Sequence, residues 1–170
     1  MAMSYDPIYK VNPPLRTQKD VMALREGLAD GTIDVVATDH APHPAESKEC
    51  EWQAAAFGMI GLETAFSIVQ TTMVDTSMIT WSQLAERMST APARIAGYSE
   101  HGQSLRVGSP AHLSIVNPSK SWKVDRDFVE SRSRNTPFHG MELPGSVVAT
   151  FFRGIPTFLD SKLVRTSHDE

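Results

Sequence analysis

The chain has 170 residues, a net charge of −4 and a hydrophobic fraction of 41%, values that favour a soluble globular protein of one large or two small domains. The sequence contains no basic patch and no apolar run of membrane-spanning length, so we expect neither nucleic-acid binding nor a membrane segment. The single cysteine, Cys50, excludes an intrachain disulfide and fits a reducing, cytoplasmic location. Its charged neighbours Lys48, Glu49 and Glu51 predict an exposed loop.

The first predicted helix follows the end of a strand at residues 9–12, which two prolines stop. Thr17 and Asp20 have the spacing of a capping box, in which each side chain binds the backbone amide of the other residue. Gly31 should end this helix, since glycine readily takes the left-handed conformation of a C-cap. One face of the helix is apolar and carries Val21, Leu24 and Leu28.

The most informative segment reads DVVATDHAPH, at residues 34–43. Its apolar alternation predicts a buried strand at residues 33–38, and Asp39 stands at the end of that strand. In parallel α/β folds the carboxyl ends of strands carry the catalytic residues, so Asp39 is a candidate metal ligand or general base, or a cap of the following loop. Successive strand residues point to opposite faces, so Asp39 and His40 should not bind one metal together, and we expect His40 to support the site or to pack. A long polar loop is predicted at residues 42–57, and His43, which lies on it after Pro42, can return over the site.

Three further helices and a β-rich segment are predicted for the rest of the chain. Predicted helices cover residues 60–73, residues from a Thr80–Gln83 capping box onward, and residues 92–98. The order of strand, loop and helix suits the end of a parallel α/β barrel or a doubly wound sheet. We therefore predict two domains, residues 1–100 and a β-rich domain at residues 101–170.

The β-rich part has three predicted strands, at residues 111–116, 147–152 and 155–158. Arg153-Gly154 between the last two predicts a tight hairpin turn. The histidines of this part are expected to be surface or structural residues: His101, His112, His139 and His168.

A second polar constellation is Asn12-Pro13-Pro14-Leu15-Arg16, which ends the first predicted strand. Two prolines restrict the backbone and would hold the Asn12 amide at the mouth of a site, although an ordinary turn is the alternative. Because neighbouring parallel strands end at the same edge, Asn12 and Asp39 are expected to face one pocket.

These motifs together resemble the C-terminal half of dihydroorotases, which are zinc-dependent cyclic amidohydrolases of pyrimidine biosynthesis. The matching segments are KVNPPLR (residues 10–16), IDVVATDHAPH (residues 33–43) and FGMIGLET (residues 57–64). The tail also resembles the family, through VGSPAHLSIVNP and SRNTPFHGMELPGSVVATFFRG. The resemblance implies an α/β fold, with the C-terminal portion of a (β/α)8 barrel, namely its last two β/α units and extra helices, followed by a small, mostly β domain.

The resemblance also implies roles for single residues in the interconversion of carbamoyl-aspartate and dihydroorotate. Asp39 would bind zinc, take a proton from the attacking water and deliver it to the leaving amide nitrogen. Asn12 would bind the substrate, and His43 would bind the substrate carboxylate. The backbone near Phe57 and Gly58 would line the pyrimidine ring.

The other metal ligands of the family are expected to lie before Met1. They comprise the paired histidines of the first strand, a bridging carboxylated lysine or aspartate and two later histidines; a substrate arginine also lies upstream. No HxH motif occurs in the 170 residues, and a catalytic zinc normally needs about three protein ligands. We therefore expect the chain alone to be inactive, to bind zinc weakly and to associate with itself unless the N-terminal half is supplied.

Two other functions stay open at this point. The parent protein could be another cyclic amidohydrolase, of the allantoinase or dihydropyrimidinase type, with the same chemistry and a different ring. It could also be a non-catalytic dihydroorotase homologue that scaffolds aspartate transcarbamoylase. For the enzyme itself, a homo-oligomer is expected.

Overall fold

The computed structural model describes residues 4–160 and 162–164, in which a helical part precedes an antiparallel sheet. The α-helices are α1 (Gln18–Asp30), α2 (Ala45–Lys48), α3 (Ala65–Val69), α4 (Trp81–Ala85) and α5 (Ala91–Ile95). A 3-10 helix covers Pro7–Tyr9, and π-helical turns cover Gln70–Val74 and Glu86–Thr90. The strands are β1 (Leu113–Lys123), β2 (Glu142–Phe152), β3 (Ile155–Leu159) and β4 (Lys162–Leu163). Over the described residues, every helix is too short or too polar to cross a membrane.

Helix α1 confirms the predicted caps. The Thr17 amide donates to the Asp20 carboxylate over 3.0 Å, and the Asp20 amide donates to the Thr17 hydroxyl over 3.4 Å. Gly31 ends the helix with a φ of 94° and donates its amide to the Gly27 carbonyl. Only part of the apolar face is covered, because Leu28 is buried while Leu24 is 60% exposed.

The second predicted capping box, between Thr80 and Gln83, is also present and begins α4. The short helix predicted for residues 92–98 is present as α5, but it ends at Ile95 and continues α4 and the π-turn without a break from Trp81. The helix predicted for residues 60–73 begins five residues later, at Ala65. Its amide bonds the Gly61 carbonyl, and Leu62 lies in the preceding turn with 62% exposure.

A compact apolar cluster joins α1, α3 and α4. Its buried members are Leu28, Val69, Met73, Ile79 and Leu84. Two half-buried side chains of the segment that leads to Asp39, Ile33 and Val36, pack against this cluster. The helices therefore fix the path of the chain just before the candidate site.

The predicted buried strand at residues 33–38 was wrong, as was the strand end at residues 9–12. Residues 33–38 are half-buried or exposed and belong to no strand, and the 3-10 turn Pro7–Tyr9 stands at the other position. A strand needs a neighbour for its amides and carbonyls, and in the described part of the chain these groups bond elsewhere. The Ile33 amide donates to the Gly27 carbonyl over 2.8 Å, and the Val36 amide donates to the Arg87 carbonyl over 3.1 Å.

The β-rich tail agrees with its prediction. Its four strands pair antiparallel in the order β1-β2-β3-β4, and β1 and β2 are each longer than the sequence pattern indicated. Arg153 and Gly154 form the predicted hairpin turn with φ values of 51° and 81°, and Phe152 pairs with Ile155 across it. Two left-handed residues match the twist of a two-residue hairpin.

Three side-chain hydrogen bonds join the sheet to the helices. The Ser67 hydroxyl donates to the Gly145 carbonyl over 2.8 Å and accepts from the Trp122 indole over 3.0 Å. The Gln70 amide donates to the Pro118 carbonyl over 2.9 Å. The tail therefore packs on the face of α3 and its π-turn.

The histidines of the tail have structural contacts. His101 and His112 stack with ring centroids 3.9 Å apart, and His112 also packs on Phe152. Burial, and next the neighbouring His101, lower the pKa of His112 from its usual value. His139 accepts the Arg126 amide at Nδ1, and His168 lies outside the described residues.

Candidate functional site

Asp39 presents an exposed carboxylate at the point where the chain leaves the helical core. Its backbone has a φ of 43°, a left-handed conformation that aspartate tolerates better than most residues. Within the described residues its side chain makes no hydrogen bond or ion pair. The carboxylate is therefore available to a ligand or a proton.

Two short segments run side by side next to Asp39. His40 and Met59 form a parallel bridge, and the Ala41 amide donates to the Met59 carbonyl over 3.0 Å. The His40 ring accepts the Gly61 and Leu62 amides at Nδ1, over 3.1 and 3.3 Å. His40 thus holds backbone in place, in agreement with the supporting role expected for it.

The parallel path brings His43 against Phe57. His43 donates from Nε2 to the Phe57 carbonyl over 2.9 Å. A carbonyl can only accept, so this contact requires the proton on Nε2 and leaves Nδ1 as the ring nitrogen free for another partner. The structure therefore brings together three of the five predicted site residues, namely His43, Phe57 and Gly58.

Gly58 lies directly against Ala41 and His43 of the facing segment. Its φ is 130°, and a Cβ atom built on it would lie 2.5 Å from the Ala41 Cβ and 3.2 Å from the His43 Nε2. Any larger residue would push the segments apart as well as strain the backbone. This position therefore requires glycine.

Asn12 lies at the edge of the same cluster. It follows Lys10 by two residues, and the Lys10 carbonyl accepts the Gly58 amide over 2.9 Å. Asn12 is exposed, and its side chain makes no hydrogen bond with the described part of the chain. Its amide is therefore free to bind a ligand.

Two buried lysines bond backbone carbonyls of the segment at residues 52–58, and the sequence analysis did not predict either contact. Lys48 is 5% exposed, so the prediction that it shares an exposed loop with Cys50 was wrong. Its ammonium donates to the carbonyls of Lys10, Ala56 and Gly58 over 3.2, 3.0 and 3.0 Å. Burial, and next the nearby Lys10, lower the pKa of Lys48 from its usual value.

Lys10 is the second buried cation, at 8% exposure. Its ammonium donates to the carbonyls of Trp52 and Gln53 over 2.8 and 3.1 Å. It also lies 4.6 Å from the centroid of the Phe57 ring, within the range of a cation–π contact. The Phe57 side chain, 57% exposed, is thereby held from below.

Asn135 links the β-rich tail to the site, and the sequence analysis did not single it out. It is 4% exposed and its Nδ2 donates to the carbonyls of Ala41 and Gly58 over 2.8 and 3.3 Å. Its Oδ1 accepts the His43 amide over 3.3 Å, and its backbone carbonyl accepts the Ile60 amide over 3.1 Å. The motif SRNTPFHG contains Asn135, but nothing in the motif shows which segment it contacts.

A zinc ion requires more ligands than this cluster offers. In residues 4–160 and 162–164, no three histidine, cysteine, aspartate or glutamate side chains lie close enough together to hold a metal ion. A catalytic zinc normally has about three protein ligands. The described residues alone therefore do not fit a zinc site, and Asp39 can supply one ligand.

Comparison with known proteins gives consistent matches over nearly the whole chain. Residues 11–156 match the model of the Amidohydrolase family. The chain is 58% identical over 163 residues to a dihydroorotase of Streptomyces coelicolor and 50% identical over 166 residues to one of Leifsonia xyli. These matches cover 96% and 98% of this chain and 38% of each relative. The chain thus spans well under half the length of these curated relatives.

A solved structure has the same backbone arrangement. The L-hydantoinase (dihydropyrimidinase) of Arthrobacter aurescens superposes with a TM-score of 0.88 at 34% sequence identity. The superposition covers 96% of this chain and 37% of the hydantoinase. The helices, the site loop and the sheet therefore belong to one fold that this enzyme shares.

Proposed function

Because the chain belongs to the amidohydrolase family, we propose that it forms the C-terminal part of a dihydroorotase that interconverts carbamoyl-aspartate and dihydroorotate. The observation that carries the proposal is the 58% identity to a dihydroorotase over 96% of the chain. In this proposal residues 1–100 are the C-terminal part of a (β/α)8 barrel that the remainder of the parent protein completes. Residues 101–170 form the small β-rich domain, and the parent is a cytoplasmic homo-oligomer.

Asp39 is the proposed acid–base residue. Its carboxylate is exposed and makes no hydrogen bond or ion pair within the described residues, so it can accept the proton of the attacking water. It then returns that proton to the ring nitrogen as its bond to the acyl carbon breaks, since a neutral ureido group is a far better leaving group than its anion. A positioned side chain of this kind contributes on the order of 100-fold to 10,000-fold in rate.

Zinc would supply Lewis-acid activation of the water and the carbonyl when bound. Asp39 is the residue of this chain proposed as a ligand, and the other ligands would come from the remainder of the parent. The arginine that binds the substrate would have the same origin.

The proposed substrate-binding residues are Asn12, His43, Phe57 and Gly58. His43 faces the carboxylate of dihydroorotate through Nδ1, because its Nε2 is occupied by the Phe57 carbonyl. Asn12 binds a polar group of the ring through its free amide. The backbone of Phe57 and Gly58 lines the ring, where it contacts the ring's surface and can hydrogen-bond its polar groups.

A hydantoinase or dihydropyrimidinase function is the second candidate. The superposition on the Arthrobacter hydantoinase supports it at the level of backbone. The two candidates differ in substrate, because dihydroorotate carries a carboxylate that hydantoin and dihydrouracil lack. In the proposal His43 binds that carboxylate, so it distinguishes dihydroorotate from the other two rings.

The first prediction tests both function and site in the intact protein that contains this chain. We expect turnover of dihydroorotate to exceed that of hydantoin, dihydrouracil and allantoin. Asp39→Asn should lower kcat by about a hundredfold or more, because an amide cannot accept the proton and is a poorer metal ligand. The matched control is Asp34→Asn, an exposed carboxylate five residues upstream.

Two outcomes would count against the proposal. Preferential turnover of a ring without the carboxylate would favour the hydantoinase candidate. Near-unchanged kcat in Asp39→Asn would remove Asp39 from the chemistry, whichever ring is the substrate.

A further inference from the structure

Two buried side chains that have no part in the proposed chemistry bond the loop that carries Phe57 and Gly58. Asn135 approaches from the tail, between β1 and β2, and Lys48 approaches from α2. We propose that Asn135 and Lys48 are positioning residues that hold this loop and His43 in the geometry that receives the substrate ring. The inference rests on the proposed function, which makes the loop a substrate-binding element.

Asn135 bonds the two segments next to the point where their direct backbone pairing ends. After the bridge between His40 and Met59, the carbonyls of Ala41 and Gly58 both point to the Asn135 amide. The same side chain accepts the His43 amide at its oxygen. One group with two donor hydrogens and an acceptor oxygen satisfies this set. Aspartate lacks the donors, and an apolar residue lacks both.

Lys48 supplies a second set of donors to the same loop. An ammonium has three hydrogens, and the three carbonyls around Lys48 use all of them. The Gly58 carbonyl accepts from both Lys48 and Asn135, while the Gly58 amide donates to Lys10. The Gly58 peptide is thus fixed at both ends.

A space-filling role does not explain a cation at this position. Lys48 is 5% exposed, and burying an ammonium is unfavourable unless its donors are satisfied. Methionine would fill a similar volume without that cost. Within residues 4–160 and 162–164 the loop pairs with another segment only through the bridge between His40 and Met59, so its carbonyls need these donors to keep one conformation.

Small displacements of this loop matter for binding. Groups that orient a substrate must be held closely, because a shift of about 1 Å can cost about a hundredfold in rate. Asn135 bonds His43 and Gly58 at once, so its loss would move a carboxylate-binding residue and a ring-lining residue together.

The test uses variants that preserve size. Asn135→Asp keeps the acceptor for His43 and places a carboxylate oxygen against two carbonyls, and Lys48→Met removes the donors. Matched controls are Asn117→Asp and Lys19→Met, since both residues are exposed. Asn117 accepts the Ser119 amide, which aspartate can still do.

Hydrogen exchange and kinetics are measured together on the intact protein that contains this chain. We expect the backbone amides of residues 40–43 and 57–60 to exchange about tenfold faster in Asn135→Asp and Lys48→Met, the factor that one lost hydrogen bond supports. Exchange in α1 and in the sheet should not change. The KM for the substrate should rise about tenfold with unchanged metal content and a smaller change in kcat.

The readouts separate failure of this inference from failure of the proposed function. If the wild-type protein turns over another ring, the exchange measurement still tests the positioning role and that ring is used for KM. Unchanged exchange and KM in both variants would overturn the inference. Faster exchange throughout the protein, or failure of both variants to fold, would also overturn it, because the residues would then stabilise the fold in general.

Discussion

Asn12 and His43 differ in whether their side chains make hydrogen bonds within the chain. Asn12 is exposed and makes no hydrogen bond with the described residues. His43 uses Nε2 for the Phe57 carbonyl and its backbone amide for Asn135. Of its two ring nitrogens, Nδ1 is therefore the one that can contact a substrate.

Alanine substitutions should separate these two situations. Asn12→Ala and His43→Ala are each expected to raise the KM for dihydroorotate about tenfold in the intact protein, the loss of one polar contact, with metal content unchanged. Only His43→Ala should also speed hydrogen exchange at residues 57–60, because it removes the bond to Phe57. The measurements are the kinetic constants, the zinc stoichiometry and the hydrogen-exchange rates of both variants. Substantial zinc loss in His43→Ala would instead make His43 a metal ligand.

At the scale of elements, the two capping boxes offer an internal comparison. The first pairs Thr17 with an acid, Asp20, and the second pairs Thr80 with a neutral amide, Gln83. Hydrogen bonds from the Thr17 side chain and then the Thr17 backbone lower the pKa of Asp20 below its usual value of 3.8. The charged form of Asp20 is therefore the one that stabilises the start of α1.

Acid should weaken one cap and leave the other unchanged. A lowered folded-state pKa means that the stabilisation is complete above the unfolded value of 3.8 and is lost as the pH falls through the folded value. We expect the protection of the Thr17 and Asp20 amides, corrected for intrinsic exchange, to fall in this range, while that of Thr80 and Gln83 is constant. Asp20→Asn should abolish the difference. A parallel decline at both caps would show general acid unfolding.

At the scale of the whole molecule, apolar side chains stand in solvent on several helices and turns. Leu24, Leu62, Ile95 and Phe128 are 60%, 62%, 66% and 85% exposed. Monomeric soluble proteins rarely expose large apolar patches, because such patches associate. This agrees with the expectation that the helix faces of the chain alone are incompletely covered.

The isolated 170-residue chain should therefore associate with itself, and it should be inactive because its described residues do not hold a metal site. We expect no measurable turnover with added zinc, and light scattering that rises with protein concentration. Leu24→Glu should reduce association by breaking the apolar face of α1, whereas Ala23→Glu, an exposed neighbour on that helix, should have little effect. A monodisperse monomer with robust turnover would contradict the proposal that the remaining metal ligands lie outside this chain.

The local features of this protein could be predicted from its sequence. Capping boxes depend on residues three positions apart, and the Arg153-Gly154 hairpin depends on two adjacent residues. Short-range hydrogen bonds of this kind form wherever the local residues allow them, so the residue types suffice. The motif around Asp39 likewise pointed to the family, which the match over residues 11–156 confirms.

Tertiary structure alone decided the pairing of distant groups. Residues 33–38 have the alternation of a strand, but a strand also needs a partner for its backbone, and theirs bonds to Gly27 and Arg87 instead. Asn135 reaches Ala41 and Gly58 across 94 and 77 positions of sequence. Lys48 looks like a surface residue among charged neighbours until three carbonyls converge on it. Composition and spacing set what each segment can form, whereas the partner of a buried polar group depends on which segments the fold brings together.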